Sequence, residues 1–116
     1  MSRHEDAVRF RHMLDRARQA VAMVRGRTRA DLDTDLQLNL SLVRLLEIIG
    51  EAAGRVSKEA RARYPGIPWP NMIGLRNRLI HGYDRVDFDI VWEIVTRDLP
   101  PLVDELERIV PEQDQR

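Results

Sequence analysis

An all-α fold, an up-and-down bundle of four or five helices forming one domain over residues 1–116, is what this sequence predicts. Three observations carry that expectation. Apolar residues recur at three- and four-residue steps through every long segment, no stretch alternates apolar and polar residues as a half-buried strand would, and the helix-breaking residues gather at a few places.

From Ser2 to about Arg27 the residues Phe10, Met13, Leu14, Ala17, Val21 and Val24 make one apolar stripe with charges between them, an amphipathic helix. Gly26 and Thr28 punctuate its end. The acidic stretch Asp31 to Asp35 reads as a turn entering the next helix, whose first turn favours carboxylates. That second helix is expected to reach about Arg63, burying Leu38, Leu42, Leu45, Ile49, Ala52 and Val56. Gly50 and Gly54, on a neighbouring face, permit close approach of another helix, in this chain or in a second copy. Glu51 and Arg55, four apart, are placed to pair on the surface.

Residues 64–70, Tyr-Pro-Gly-Ile-Pro-Trp-Pro, cannot continue a helix, because the prolines remove donors and constrain the residues before them. Pro68 or Pro70 can open a third helix with Met72, Ile73, Leu75, Leu79 and Ile80 on its apolar face, and Gly82 is placed to end it. Asp87 caps a last helix carrying Ile90, Val91, Ile94, Val95 and Leu99. Pro100 and Pro101 are expected to kink or break it before Leu102, Val103, Leu106 and Ile109 resume the pattern, and residues 111–116 are expected to fray.

Composition narrows the function. Nineteen basic residues balance nineteen acidic ones, so the chain is no general polyanion magnet and any nucleic-acid contact must be local. Eighteen of the cations are Arg, with Lys58 the only lysine, a bias that suits phosphate recognition and that a GC-rich genome produces equally. Cysteine is absent, which excludes disulfides and thiolate metal sites. With 43% hydrophobic and 33% charged residues and no apolar run long enough for a membrane span or a secretion signal, a cytoplasmic protein is expected.

The most unusual string is Arg76-Asn77-Arg78-Leu79-Ile80-His81-Gly82-Tyr83. It gathers two guanidiniums, a carboxamide, an imidazole and a phenol, which suffice for phosphodiester chemistry without a metal or other cofactor. A histidine titrating near neutrality can take the proton of a ribose 2′-hydroxyl or give one to the leaving 5′-oxygen, and an arginine can hold the phosphate while charge builds on its oxygens. At about 100° per residue, Asn77 and His81 would share a face of a regular helix whereas Arg76 and His81 would not. Bringing Arg76 and His81 to one phosphate needs an unwinding helix end at His81, a curled Arg side chain, or two chains; an unwound end combined with a second chain fits best.

Around this string the chain resembles a known family. The HEPN domains share an Arg, a polar residue beside it and a His four to six residues after the Arg, and their HepT branch has the form RxxxxHxY. Arg76, Asn77, His81 and Tyr83 occupy those places, and the blocks IIGEAA (48–53), YPGIPW (64–69), GLRNRLIHGY (74–83) and VDFDIVWEIVTRDLPPLVDEL (86–106) look like HepT as well. The likeness covers the chain from about Leu38 onward, the first helix agreeing only in length and pattern.

The resemblance implies a helical, dimeric, metal-independent endoribonuclease toxin acting on tRNA or mRNA, with Arg76 and His81 catalytic and Asn77 and Arg78 supporting or binding RNA. It also implies an antitoxin partner, a minimal nucleotidyltransferase of the MntA type that attaches AMP to Tyr83. A second function uses the same residues: a non-catalytic helical subunit holding nucleotide or substrate for such a nucleotidyltransferase.

Plainer roles compete at several positions. Arg78 can equally be an ion-paired side chain. His4 and His12 are expected in solvent, Trp69 and Trp92 in packing rather than base stacking, and Asp87 in helix capping rather than, with Asp84 and Asp89, in a cation site.

Overall fold

The computed structural model describes residues 2–80 and 85–114. Helix α1 (Arg3–Met23) begins at Ser2, whose hydroxyl accepts the Glu5 N–H while the Glu5 carboxylate accepts the Ser2 N–H, so two orphan donors are satisfied reciprocally. It ends short of the expected Arg27 because the chain turns through Gly26 at φ 72°, a left-handed conformation that glycine adopts without a Cβ penalty. A short helix, α2 (Asp31–Thr34), fills the acidic stretch. Asp35 then caps α3 (Leu36–Arg55) by accepting the Leu38 N–H at 3.0 Å.

The second helix does not run on to Arg63. Val56 is extended (φ −66°, ψ 136°), and Ser57 opens a separate helix, α4 (Lys58–Arg63), by accepting the Ala60 N–H at 3.1 Å. Two partners hold the break. Asp6 of α1, only 3% exposed, accepts the Ser57 N–H and hydroxyl, and the Arg61 guanidinium donates to the carbonyls of Val56 and Gly54 that the ended helix leaves free.

The proline connector seats Trp69 in the core. Its indole N–H is shared between the carbonyls of Tyr64 and Arg61, and its ring meets Phe10 edge-on at 5.9 Å. Beyond it lie two short helices instead of one, α5 (Trp69–Ile73) and α6 (Leu75–Leu79), divided at Gly74.

Helix α7 (Phe88–Glu93) starts at Asp87, whose carboxylate accepts the Asp89 and Ile90 N–H groups, as expected for a cap. The expected break near residue 100 is absent. A π-turn over Ile94–Asp98 passes directly into α8 (Leu99–Asp114), with Leu99 N–H reaching back to the Ile94 carbonyl. The wider turn accommodates Pro100 and Pro101, which have no N–H to offer the carbonyls four residues earlier and whose rings would crowd them in a regular helix. Residues 111–114, expected in a frayed tail, belong to α8. They are helical, and Gln113, 3% exposed, donates to the Tyr64 hydroxyl at 2.8 Å.

Helix α1 packs along α3 on one side and α8 on the other, with α5 and α6 laid against α3. Phe10, Met13, Leu42, Leu46, Ile49, Met72, Leu75, Ile94, Leu99 and Leu106 are fully buried between them. Among the described residues there is no strand, only one isolated antiparallel bridge between Ile80 and Val86. His4 and His12 are exposed and Trp92 is partly buried against the core, as expected.

Candidate active site

Helix α6 carries the first half of the candidate motif, and its five residues are placed by neighbours more than by their own propensity. Leu75 and Leu79, four apart, are buried in the core. Behind them α3 comes close at Gly50, where a Cβ would lie 3.1 Å from the Met72 carbonyl oxygen and 3.5 Å from the Leu75 Cβ. A Cβ on Gly54 would find its nearest neighbour, Ile73, at 3.9 Å. Gly50 therefore serves packing within the chain, one of the two uses open to it, whereas Gly54 has no neighbour that close. Among the described residues Glu51 and Arg55 form no ion pair.

The helix ends earlier than Gly82. Ile80 is extended (φ −90°, ψ 123°) and pairs with Val86, and the Asp87 N–H donates to the Leu79 carbonyl at 2.8 Å. His81, Gly82, Tyr83 and Asp84 lie outside the described residues.

Arg76 and Asn77 are exposed, and neither side chain has a hydrogen-bonding or ion-pairing partner among the described residues. On either side of them stand two large apolar residues that solvent also reaches, Ile73 and Ile80, each 39% exposed. An unpaired guanidinium suits contact with an anion, and exposed isoleucines suit contact with an apolar surface.

Arg78 is different. It is partly buried and its Nη2 donates to Asp98 Oδ2 of the π-turn at 3.2 Å, while its Nη1 is buried without a hydrogen-bond partner among the described residues. Both partners keep about a third of their exposure, so such a pair contributes at most about 1 kcal/mol. The orphaned nitrogen costs about 1–3 kcal/mol. Asp98 is the residue the sequence reading missed, because no spacing rule links positions 78 and 98; only the fold brings them together. No group of three or more His, Cys, Asp or Glu side chains among the described residues could hold a metal ion, and Asp89 is held by Arg29 at 2.5 Å.

Comparison with known proteins decides the lineage. The family described as "Ribonuclease HepT-like" matches residues 13–109. The chain belongs to the HepT-like ribonuclease family. Its relatives include "Putative RNase TTE0752" of Caldanaerobacter subterraneus subsp. tengcongensis, 33% identical over 102 residues that cover 88% of this chain and 91% of that one. "Putative RNase MJ1380" of Methanocaldococcus jannaschii is 41% identical over 70 residues, 60% of this chain and 64% of its own length. "Probable ribonuclease HepT" of Thermococcus cleftensis is 35% identical over 79 residues, 68% and 72% of the two chains. No solved structure matches. The HepT-like span contains α3, the connector, the whole string from Arg76 to Tyr83 and the π-turn, so every residue of the candidate site falls inside it. Among the described residues no helix is long and apolar enough to cross a membrane.

Proposed function

We propose that this HepT-like chain is a metal-independent endoribonuclease that works as a cytoplasmic toxin, cutting tRNA or mRNA in a groove shared by two copies of the chain. What carries the reading is the family match over residues 13–109 together with the exposure of Arg76 and Asn77 at the end of α6. In the proposed reaction the His81 imidazole takes the proton of a ribose 2′-hydroxyl. The freed oxygen attacks phosphorus, the bond to the 5′-oxygen breaks, and that oxygen receives a proton from an imidazolium. Arg76 neutralises charge gathering on the non-bridging oxygens and Asn77 assists in holding RNA, while Arg78, tied to Asp98, plays a supporting part.

The isoleucines flanking Arg76 supply apolar area for a two-fold contact that would bring two copies of the motif together. Regulation follows from chemistry at Tyr83: a nucleotidyltransferase antitoxin of the MntA type transfers AMP from ATP to its hydroxyl, releasing pyrophosphate and the phenolic proton, and the added phosphate competes with RNA for the same cations. The experiment is expression without the antitoxin, followed by an in vitro cleavage assay in EDTA. Growth arrest and cleavage are expected, each removed by His81→Ala. Nucleotide binding without cleavage would mark the chain instead as a non-catalytic subunit of the nucleotidyltransferase.

A further inference from the structure

We infer that Asp98, on the π-turn, is a positioning residue for the candidate active site: its ion pair with Arg78 fixes the roll of α6 and so aims Arg76 and Asn77. The inference rests on the ribonuclease reading above and extends it to a residue outside the motif.

The geometry of a five-residue helix makes the argument. Leu75 and Leu79 are both buried in the core and lie nearly above one another, so they fix where α6 sits. They do not fix its rotation about the line joining them. At about 100° per residue, Arg78 projects roughly 80° to one side of that buried line, Arg76 roughly 80° to the other, and Asn77 opposite it. A tether on the Arg78 flank therefore sets the direction of both exposed residues. Asp98 supplies it, with Oδ2 3.2 Å from Arg78 Nη2.

The stability of the pair gives no competing reason for it. It is partly solvent-exposed, so its attraction is weak, and it carries a buried Nη1 with no partner among the described residues. An apolar side chain at position 78 would pack without that penalty. What an apolar residue lacks is directionality, which a guanidinium–carboxylate contact provides. The anchor is also firm at its far end, since Ile94 and Val95 of the π-turn and the following Leu99 are all buried.

The test compares wild type, Asp98→Asn and the exchanged pair Arg78→Asp/Asp98→Arg. Each is measured for RNA cleavage kinetics, thermal midpoint and the orientation of α6 from residual dipolar couplings at Leu75–Leu79. A mis-aimed reacting group acts mainly on the chemical step, so kcat of Asp98→Asn is expected to fall by about 10- to 100-fold with KM for RNA and the midpoint little changed. Its α6 should be reoriented, and the exchanged pair should recover both kcat and orientation. An unchanged kcat with an unmoved α6 overturns the inference. So does a kcat loss that only tracks the loss of folded protein and does not recover in the exchanged pair. If the wild type cleaves no RNA, the ribonuclease reading fails by itself, and the orientation of α6 in the two variants still decides the role of Asp98.

Discussion

Asp6, in the first turn of α1, accepts both the backbone N–H and the side-chain hydroxyl of Ser57, at 2.9 and 2.7 Å, and so clamps the start of one helix to the break between two others. The carboxylate is almost wholly removed from solvent, and Ser57 in turn caps α4. Removing the acceptor leaves a buried N–H unmade. Asp6→Ala is therefore expected to destabilise the chain by about 2–3 kcal/mol, the range for hydrogen bonds to a charged group, and Ser57→Ala by about 1–2 kcal/mol. Urea denaturation of the two variants checks this. A change under about 0.5 kcal/mol for Asp6→Ala, typical of a surface substitution, would show that the clamp carries no weight.

Gly50 and Gly54 look alike in sequence and should behave oppositely. A methyl at Gly50 meets the Met72 carbonyl at 3.1 Å, so Gly50→Ala requires the backbone at the end of α5 to shift slightly away from α3, at an expected cost of about 1–3 kcal/mol. At Gly54 the nearest atom is 3.9 Å away, and Gly54→Ala should gain up to about 1 kcal/mol from helix propensity. Thermal unfolding ranks them. Because α6 carries Arg76, RNA cleavage should fall for Gly50→Ala and hold for Gly54→Ala.

The helical class and the order of the segments were legible because the apolar spacing in α1, α3 and α8 is set by the period of the helix itself. The misreadings have local causes. Nothing in the apolar pattern marks the end of α3, since Val56 and Ala60 keep the helical spacing across the break; the signal was Ser57 as a cap, and its buried partner Asp6 is 51 residues away. Pro100 and Pro101 argued for a break, and a π-turn whose formation depends on burying Ile94, Val95 and Leu99 absorbed them. Gln113 read as a polar tail residue because its partner, Tyr64, lies across the bundle. At the candidate site the engagement of Arg78 with Asp98 is a tertiary contact that no sequence spacing announces.

Acid should weaken the start of α3. Asp35 is held below its ordinary value of 3.8, first by the Leu38 N–H it accepts and then by Arg27. A carboxylate with a depressed folded-state pKa contributes stability that is fully present above the unfolded value and is lost as pH falls through the folded one. Asp35→Asn should therefore remove part of the fall in stability below pH 3.8 and change its slope little near neutrality. Urea midpoints across that range test the sign; a steeper acid dependence in the variant would contradict it.

The last prediction concerns which chain supplies which group. If the groove takes Arg76 from one copy and His81 from the other, two inactive proteins should repair one another. In a mixed dimer of Arg76→Ala and His81→Ala, one site receives both substitutions and the other receives neither. Random mixing makes half of the dimers mixed, each with one intact site of two, so an equimolar mixture should recover about a quarter of wild-type cleavage. If each chain instead furnishes both residues to its own site, every site in the mixture lacks one of them, and activity stays at the level of the single variants, about 10²- to 10⁴-fold down. Ile73→Glu adds a control. It places a charge on the exposed apolar flank of Arg76, so it should give a monomer in light scattering, keep the unfolding midpoint, and abolish the recovery when carried by either member of the mixture. Recovery that persisted with Ile73→Glu present would show that the Ile73 surface is not the contact that brings the two copies together.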